Sequence, residues 1–269
     1  MTVLVTGATG NIGRRVVDHL VAAGVPAVRA LTVDPARAAL PEGVEVAQGS
    51  LRRLDTLPVA FEGIERMYLA PVGETVVDVL ALARQAGVAH VVDLSGEPET
   101  WWGDVTRAVE AAGPGWTHLW PGDFMENSLS WAPGIAAERM VREPYPQGCS
   151  APIAMDDIAR VAAAALQTDA HIGEALSLTG PEMLSRVELA ERVGEAIGEP
   201  VTFVTVSRDE AVAEMSQTMG DDAAWYVDTA LAGLIDNPAV VTTTVADVTG
   251  RPATTFGQWA AANAAAFRG

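Results

Sequence analysis

The first 120 residues alternate short apolar runs with segments in which apolar residues recur every three or four positions. Apolar runs bounded by turn residues predict buried strands, and the 3.6-residue period predicts amphipathic helices. The predicted strands are 2–6, 25–33, 44–47, 66–70, 89–94 and 116–120. The predicted helices are 11–23, 74–86 and 102–112, each closed by a glycine. Such regular alternation predicts right-handed crossovers and a parallel sheet covered on both faces.

The pattern changes after residue 120. Residues 121–155 are rich in proline, glycine and aromatic residues, and they predict long loops with one helix near 133–141. Beyond them the sequence predicts helices at 156–167, 185–197, 221–236 and 255–267, and strands at 175–178 and 201–206. Ser185 with Glu188, and Ser207 with Glu210, have the spacing of a capping box, which predicts that a helix begins at each serine.

Composition and charge narrow the class of protein. The 269-residue chain is 49% hydrophobic and 19% charged, which excludes disorder or fibrous structure as its main state. Its 35 acidic residues and 17 arginines give a net charge of −18, so no interaction with nucleic acid is expected. No apolar run reaches the roughly 18 residues of a membrane span, and no signal peptide is recognisable. We therefore expect a cytoplasmic protein without membrane or nucleic-acid partners.

Rare residue types also limit the chemistry. The chain contains no lysine, which excludes a lysine base, a Schiff base and a lysine-assisted tyrosine. The single cysteine, Cys149, excludes an internal disulfide and a cysteine-based zinc site. The four histidines are scattered along the chain, so we expect no metal.

The strongest local motif, Thr6-Gly7-Ala8-Thr9-Gly10-Asn11-Ile12-Gly13, follows the first predicted strand. Three glycines at this spacing permit a tight turn, close approach of backbone to a pyrophosphate, and close packing of helix on strand. The helix N-terminus then favours the negative charge of the phosphates. Because the motif joins a strand to an amphipathic helix, it predicts a dinucleotide site rather than a turn that serves packing alone. The predicted cofactor-binding residues are Gly7, Thr9, Gly10, Asn11, Ile12 and Gly13.

The residue that contacts the adenosine ribose is expected about twenty positions after the last glycine. That position is near Val33, which is neither the acidic residue typical of NAD sites nor the basic residue typical of NADP sites. Arg14 and Arg37 are candidates for a 2′-phosphate and Asp34 for a ribose hydroxyl, with a solvated surface charge as the alternative for each. We expect NADP(H) in preference to NAD(H), with loss of the cofactor as the alternative.

Several motifs, taken in order, resemble one protein family. They are Gly7–Gly13, the stretch 116–127 (WTHLWPGDFMEN), Met155–Ala159, Leu178–Glu182, and Val248–Pro252 followed by Phe256. Over essentially the whole chain they resemble the NmrA-like branch of the atypical short-chain dehydrogenases/reductases. This resemblance implies an NAD(P)-binding Rossmann domain, a C-terminal substrate lobe, and NADPH-dependent reduction of quinones or enones. The family also includes proteins that bind the cofactor without reductase activity.

The chain departs from the family pattern at informative positions. Ordinary short-chain dehydrogenases use a Tyr-x-x-x-Lys pair, and by spacing from Glu110 the corresponding residues here are Trp102 and Thr106. Val33 stands where the reductases often carry an arginine. Ser50, a further cofactor-binding candidate, stands where an aspartate usually contacts adenine. Any hydride transfer must therefore rely on cofactor positioning and on another proton source.

The carboxyl ends of the predicted strands supply further candidates, because ligands bind at this edge of a parallel sheet. Ser95 ends the fifth strand and is predicted to contact nicotinamide or substrate, with helix capping as the alternative. The resemblance implies that Ala70, Pro71 and Val72 pass along the cofactor. Water, Ser95 and Asp123 are the candidate proton donors.

Aromatic residues are concentrated between the fifth strand and the second half of the chain: Trp101, Trp102, Trp120, Phe124, Trp131 and Tyr145. Any one of them more often serves packing than binding. Their density nevertheless favours a small-molecule partner that is flat and apolar. The predicted substrate-binding residues are Trp102, Phe124, Asn127 and Tyr145.

These observations predict an α/β fold, a Rossmann-type doubly wound parallel sheet over 1–150. A smaller α+β substrate lobe over 151–269 is expected to pack on the sheet and not to form an independent domain. The predicted function is NAD(P)H-dependent hydride transfer to a quinone, enone or other conjugated carbonyl without a Tyr-Lys pair. Two alternatives stay open: a redox-neutral enzyme catalysing dehydration, cyclisation or ring opening, and a non-catalytic sensor of the nicotinamide cofactor.

Overall fold

Eleven strands occur in the part of the chain that the structure, a computed structural model, describes, which is residues 1–236 and 239–269. They are β1 (Thr2–Val5), β2 (Ala27–Thr32), β3 (Glu45–Gln48), β4 (Arg66–Leu69), β5 (His90–Leu94), β6 (Gly115–Pro121), β7 (Met140–Glu143), β8 (Cys149–Ser150), β9 (Glu174–Leu178), β10 (Leu184–Ser185) and β11 (Thr202–Thr205). Seven of them form one parallel sheet in the order β3-β2-β1-β4-β5-β6-β9. The reversal of strand order at β1 is typical of Rossmann-type sheets, and the predicted doubly wound α/β fold is confirmed.

The central strands form where aliphatic residues are removed from water. Val5 of β1 lies beside Ala30 of β2 and Tyr68 of β4, and Tyr68 in turn lies beside Val92 of β5. All four residues are fully buried. This register brings the carboxyl ends of β1, β4 and β5 to one edge of the sheet, where the predicted cofactor residues follow each strand.

The helices alternate with the strands, although the periodicity did not predict the helices at Leu57–Phe61 and Thr244–Thr249. They are α1 (Asn11–Ala22), α2 (Leu57–Phe61), α3 (Val76–Gln85), α4 (Gly103–Ala111), α5 (Ala132–Glu138), α6 (Met155–Ala165), α7 (Arg186–Ile197), α8 (Arg208–Met219), α9 (Asp222–Trp225), α10 (Ala232–Asp236), α11 (Thr244–Thr249), α12 (Phe256–Ala262) and α13 (Ala264–Arg268). Three 3-10 segments, Pro35–Arg37, Leu54–Thr56 and Met125–Trp131, and a π-helical segment, Tyr226–Leu231, complete the helical structure. Helices α1, α6 and α11 pack together, as do α2, α3 and α4. Because crossovers are right-handed, the two groups cover opposite faces of the sheet.

The chain divides into two compact units. The first unit comprises 1–121, 155–178 and 244–251 and holds the seven-stranded sheet. The second unit comprises 122–154, 179–243 and 252–269. The predicted domain boundary after residue 150 stays a prediction. The compact units differ from it in two ways: residues 122–150 belong to the second unit, and residues 155–178 and 244–251 belong to the first.

The second unit is built around its own apolar core and two short strand pairs. Strands β7 and β11 pair in parallel, and β8 and β10 pair antiparallel. The core consists largely of side chains from α7, α12 and α13, such as Leu189, Val193, Phe256 and Phe267. Both predicted capping boxes are confirmed, at the start of α7 and at the start of α8. A third, at Thr255 before α12, was not predicted.

Three predictions made from the local sequence pattern were wrong, at segments whose backbone conformation depends on contacts with other parts of the chain. The helix predicted near 133–141 ends at Glu138, because Arg139 adopts a left-handed conformation with φ 57° and the next residues pair with β11. The loops predicted for 121–155 contain strands β7 and β8. The single helix predicted at 255–267 is interrupted at Asn263, whose side-chain amide donates to the Trp259 carbonyl at 2.8 Å.

Candidate active site

The glycine-rich turn after β1 requires contacts that only glycine permits. Gly7 has φ +58°, and a Cβ on Gly13 would lie 2.2 Å from the Gly7 carbonyl oxygen. The first turn of α1 therefore packs directly on the turn. Gly10 precedes α1 without a side-chain cap, and the first helical turn carries no acidic residue. No carboxylate in the first turn of α1 therefore competes for the free N–H groups of that turn, and these N–H groups can bind phosphate oxygens.

Thr6, which the sequence analysis did not select, joins the glycine-rich turn to the end of β4. Its backbone N–H and its hydroxyl donate to the Tyr68 carbonyl at 3.0 and 3.1 Å, and its Oγ1 accepts from the Ala70 N–H at 2.9 Å. A Cβ on Gly7 would lie 3.2 Å from the Ala70 Cβ. The structure thus brings Ala70 against the glycine-rich turn, and the role of Ala70, Pro71 and Val72 toward the cofactor stays a prediction. The threonine immediately before the first glycine was the only local signal.

Two arginines lie near the loop that follows β2, Arg14 on α1 and Arg37 in the loop itself, and they differ in their hydrogen bonds. The Arg14 guanidinium pairs with Asp18 at 3.0 Å and donates to the Ala39 carbonyl at 2.7 Å. Val33 is 67% exposed, and Arg37 is also exposed, in the turn that follows β2. Arg14 is therefore committed to holding this loop, whereas Arg37 projects into solvent beside it.

Ser50 lies in a tight turn after β3. Its N–H donates to Thr56 Oγ1 at 3.0 Å, and its hydroxyl oxygen accepts from the Arg52 N–H at 3.3 Å. These bonds fix the Ser50 backbone, and its role toward adenine stays a prediction.

Ser95 follows the carboxyl end of β5. Its N–H donates to the Leu119 carbonyl at 3.1 Å, so its backbone continues the pairing with β6. Its hydroxyl is buried and has no hydrogen-bond partner among the residues that the structure describes. Leaving a buried hydroxyl unsatisfied costs about 1–3 kcal/mol.

Trp102 and Thr106, the predicted counterparts of a Tyr-Lys pair, lie at the start of α4. The Trp102 indole packs over Gly96, where an added Cβ would lie 2.7 Å from Trp102 Cδ1. It also stacks on Trp101 with a centroid separation of 4.0 Å, and Trp101 is 71% exposed. The Thr106 hydroxyl is buried and donates to the Gly96 carbonyl at 2.8 Å. An indole and an internally bonded hydroxyl therefore occupy these two positions.

A buried acid–base pair lies between β5 and β6. His118 Nδ1 lies 2.6 Å from Asp93 Oδ2, and neither side chain is accessible to solvent. His118 Nε2 lies 3.7 Å from Glu110 Oε1. Burial, reinforced by the negative charge of Asp93, raises the pKa of Tyr68 above its ordinary value. Asp93, His118 and Tyr68 are thus buried within the sheet packing, whereas Glu110 is partly exposed on α4.

The other predicted substrate and proton-donor residues lie in the second unit. Asp123 Oδ1 accepts from the Asn127 amide at 2.9 Å, and Oδ2 accepts from the Ser150 hydroxyl at 3.1 Å. Phe124 is half-buried and its backbone bridges to Ile153. Tyr145 packs against a separate apolar cluster that includes Val206, Ala211, Val227 and Leu231. Within this unit the structure brings Asp123 and Asn127 into contact, while Tyr145 contributes to the local core.

Sequence reasoning missed a buried ion pair next to Asp123. Arg186 binds Glu143 in bidentate fashion at 2.8 and 2.7 Å, and the Trp131 indole N–H donates to the same carboxylate at 2.7 Å. The guanidinium lies 4.6 Å from the centre of the Trp131 ring, and its Nη1 lies 3.9 Å from Asp123. Burial opposes the charge of Arg186, but Glu143 outweighs it and the pKa of Arg186 is raised. The partners are 43 residues apart in sequence, so no local pattern indicated the pair.

Metal clusters and membrane-length helices are both absent from the described residues. No group of three or more His, Cys, Asp or Glu side chains in these ranges is placed to hold a metal ion. Likewise, none of the helices in residues 1–236 and 239–269 is long and apolar enough to cross a membrane.

Comparison with known proteins agrees with this geometry. A family model described as NAD(P)H-binding matches residues 7–98. The Streptomyces griseus enzyme named (4-alkanoyl-5-oxo-2,5-dihydrofuran-3-yl)methyl phosphate reductase is 36% identical over 98% of this chain and 99% of its own length. The NAD(P)H azoreductase of Xenophilus azovorans is 35% identical over the same shares.

Among solved structures, the NADPH-dependent quinone oxidoreductase of Escherichia coli superposes with a TM-score of 0.87 at 24% identity, covering 97% of this chain and 99% of that one. This likeness supports the fold. The family model and the two relatives of 35% and 36% identity, together with the Rossmann-type sheet, define an NAD(P)H-binding oxidoreductase. The chain belongs to the NmrA-like branch of the atypical short-chain dehydrogenases/reductases and is an NAD(P)H-dependent reductase of that type.

Proposed function

We propose that this reductase transfers a hydride to a quinone, enone or other conjugated carbonyl, and that it does so without a Tyr-Lys pair. The observation that carries the proposal is the Ser95 hydroxyl, buried at the carboxyl end of β5 without a partner among the described residues. A hydroxyl at this position is suited to bind a carbonyl or amide oxygen at the reacting edge. The Thr106 hydroxyl, which is bonded to Gly96, offers no equivalent of the lysine.

The names of the relatives support this acceptor class. The substrate in the name of the Streptomyces griseus enzyme has a ring C=C bond conjugated with a ring carbonyl and an alkanoyl carbonyl. The Escherichia coli neighbour is a quinone oxidoreductase. In each acceptor, conjugated carbonyl groups delocalise the negative charge that hydride addition creates. One hydride and one proton then complete a two-electron reduction.

The residues of this chain divide into three roles. Gly7, Thr9, Gly10, Asn11, Ile12 and Gly13 hold the pyrophosphate, Ser50 contacts the adenine, and Ala70, Pro71 and Val72 flank the nicotinamide. Bound NAD(P)H supplies the hydride. Ser95 donates a hydrogen bond to the acceptor or nicotinamide oxygen, and the proton comes from water, Ser95 or Asp123. Trp102, Phe124, Asn127 and Tyr145 shape the substrate site.

Steady-state oxidation of NADPH, followed at 340 nm with 2-methyl-1,4-naphthoquinone and with 2-cyclohexen-1-one, tests the reaction. Ser95→Ala should lower kcat/KM by about 10- to 100-fold, as expected for the loss of a hydrogen bond to developing negative charge. Ser216→Ala, on the exposed surface of α8, is the matched control. Unchanged kinetics in Ser95→Ala would remove Ser95 from the site. NADPH binding without oxidation by either acceptor class would contradict the proposed reaction.

We further propose that Arg37 confers a preference for NADP(H). Its guanidinium is exposed and close in sequence to the end of β2, which supports a contact with a 2′-phosphate. Arg37→Gln should weaken NADPH binding by about 10- to 100-fold, the effect of one charge-assisted hydrogen bond, and leave NADH binding unchanged. Calorimetric titration measures both, with Arg192→Gln on α7 as the control. Equal loss for the two cofactors would refute the assignment.

A further inference from the structure

Four buried polar atoms lie in one patch near the carboxyl ends of β5 and β6. Asp93 stands beside His118 in the register of the two strands. The Ser95 N–H donates to the Leu119 carbonyl, which continues this register and places Ser95 beside Trp120. Because side chains alternate along a strand, these two adjacent pairs share one face of the sheet. Each of the four side chains carries a buried atom without a hydrogen-bond partner among the described residues: Asp93 Oδ1, Ser95 Oγ, His118 Nε2 and Trp120 Nε1.

A single water molecule can join three of these atoms. Buried polar groups are normally paired, and buried water commonly supplies about three hydrogen bonds to groups that lack a protein partner. Alternate residues of a strand are about 7 Å apart, a distance that one water with two hydrogen bonds can bridge between Asp93 Oδ1 and the Ser95 hydroxyl. The Trp120 indole N–H, which can only donate, is available as the third partner of the same water.

The second oxygen of Asp93 is held by His118. Nδ1 of the ring lies 2.6 Å from Oδ2, and both side chains are inaccessible to solvent. The ring itself stacks on Trp116 and on Trp120, with centroid separations of 4.3 and 6.0 Å. His118 therefore fixes the rotation of the carboxyl group and leaves Oδ1 as the oxygen available to the water.

The charges around His118 are unequal. Its Nε2 lies 3.7 Å from Glu110 Oε1 on α4, so two carboxyl groups face one imidazole ring. Even a ring protonated on both nitrogens balances only one negative charge. The Glu110 side chain is 44% exposed whereas that of Asp93 is fully buried, and burial disfavours the charged form of a carboxyl group. A proton held by this cluster is therefore expected on Asp93.

Other titratable groups on the neighbouring elements do not bind Asp93. Two ion pairs are complete in themselves: Arg107 with Asp104 on α4 at 2.7 Å, and His171 with Glu174 at 2.8 Å. Arg84 of α3 lies beside Gly113, beyond the end of α4. Tyr68 lies beside Val92 in register and hence on the opposite face, and burial together with the charge of an ionised Asp93 raises its pKa.

We propose that Asp93 stores the proton for the reduction on Oδ1 and delivers it through one water molecule to the Ser95 hydroxyl, while His118 orients the carboxyl group. The inference rests on the proposed function, because it names the source of the proton in that reaction. Asp93 acts through Ser95 and does not touch the reacting atoms, so it is a positioning residue.

Atoms and electrons balance in this sequence of transfers. Hydride addition to the β-carbon of an enone brings two electrons and one hydrogen and leaves an enolate. Ser95 gives its hydroxyl proton to the enolate as it takes one from the water, and the water takes the proton of Asp93. The Nδ1–H of His118 stabilises the resulting carboxylate. A solvent proton returns to Asp93 by the reverse path after the product has left, so each turnover consumes one hydride and one proton.

Infrared spectroscopy of the full chain at neutral pH tests the stored proton without turnover. A protonated carboxyl group has a C=O stretching band that a carboxylate lacks, and the wild-type spectrum should contain it. Asp93→Asn, a neutral isostere that keeps both hydrogen bonds, should remove this band. Asp104→Asn, the same change at an exposed position of α4, should leave the band in place.

Glu110→Gln tests the same proton from a partly exposed position, where a failure to fold is not expected. It removes one of the two negative charges that face His118. The charge of the ring then balances Asp93, so Asp93 should ionise and the acid band should weaken.

Kinetics with NADPH test the delivery of the proton. Asp93→Asn should lower kcat for 2-cyclohexen-1-one by at least about tenfold, with KM and the calorimetric Kd for NADPH unchanged. 2-Methyl-1,4-naphthoquinone should be affected less, because its hydroquinone anion is a weaker base than an enolate and can take its proton from solvent after release. Adding Asp93→Asn to Ser95→Ala should cause no further loss, since Asp93 acts only through Ser95. Asp104→Asn should match the wild type.

The outcomes separate this proposal from the proposed function. A wild-type spectrum without the acid band, or a band that survives both Asp93→Asn and Glu110→Gln, would show that Asp93 stores no proton. An unchanged kcat for the enone in Asp93→Asn, or equal losses for enone and quinone, would show that the proton comes from elsewhere and would overturn the proposal. If the band responds as expected but the wild type reduces neither acceptor, the proposed reaction fails while the stored proton stands.

Discussion

Gly13→Ala tests the packing of helix α1 on the glycine-rich turn. The added Cβ would lie 2.2 Å from the Gly7 carbonyl oxygen, 2.7 Å from the Gly7 carbonyl carbon and 3.1 Å from the Thr6 carbonyl oxygen. All three are backbone atoms and cannot rotate away. Ordinary contact begins at 3.4 Å, so helix and turn must separate by about 1.2 Å along the shortest of these contacts.

This displacement has two measurable consequences. Overpacking of this kind costs about 1–3 kcal/mol of the free energy of unfolding, measured by urea denaturation. The same movement separates the N-terminus of α1 from the pyrophosphate. Losing one or two charge-assisted hydrogen bonds of about 1.5–3 kcal/mol should raise the Kd for NADPH by at least about tenfold, measured by calorimetry.

Gly257→Ala is the control for the chemical change itself. Gly257 is also helical, and a Cβ there would meet nothing within 4 Å. Alanine is the better helix former, so this variant should keep its NADPH affinity and gain up to about 1 kcal/mol of stability. A Gly13→Ala protein with unchanged Kd and unchanged stability would refute the proposed role of this turn.

Three further predictions concern stability. Glu143→Gln leaves the charge of Arg186 buried without its carboxylate, so it should lower the free energy of unfolding by about 3–5 kcal/mol in urea denaturation. Trp131→Phe removes only one hydrogen bond to that carboxylate and should lower the free energy of unfolding by about 1–2 kcal/mol in the same experiment. Burial, with the nearby Arg66 charge, lowers the pKa of His90 to about 4, so the unfolded chain binds the extra proton between pH 6.5 and 4. Stability should therefore fall as pH falls through that window, by up to about 3 kcal/mol, and His90→Gln should flatten this part of the pH profile. Ser207→Ala removes the capping box of α8 and should cost about 1 kcal/mol, while Ser216→Ala within the same helix should change the melting temperature little.

Local sequence features predicted most of the first unit. The strand–helix alternation and the glycine closing each predicted helix are short-range signals, and they match β1 to β6 and helices α1, α3 and α4, whereas α2 was not predicted. The glycine-rich turn and both capping boxes were also readable, because their residues lie within seven positions of one another. The lack of lysine is a property of composition alone, and it is the reason for predicting a mechanism without a Tyr-Lys pair.

Contacts between distant residues were beyond such patterns. Strand β7 forms because Met140–Glu143 pairs with Thr202–Thr205. A local hydrophobic pattern cannot predict a pairing partner 62 residues away. Thr6 acquires its importance from the Tyr68 carbonyl and the Ala70 N–H across the sheet. Ser95 was singled out from its place at a strand end, but only the packed structure shows that its buried hydroxyl lacks a partner in the described part of the chain.

The sequence by itself thus determined the class of fold and predicted the cofactor turn and a mechanism without a Tyr-Lys pair, because each depends on residue type and short spacing. Tertiary structure decided which polar groups are buried and which of them are paired. It alone placed Glu143 between Arg186 and Trp131. Burial and charge pairing are properties of three-dimensional neighbourhoods, and those neighbourhoods form only when distant segments pack together.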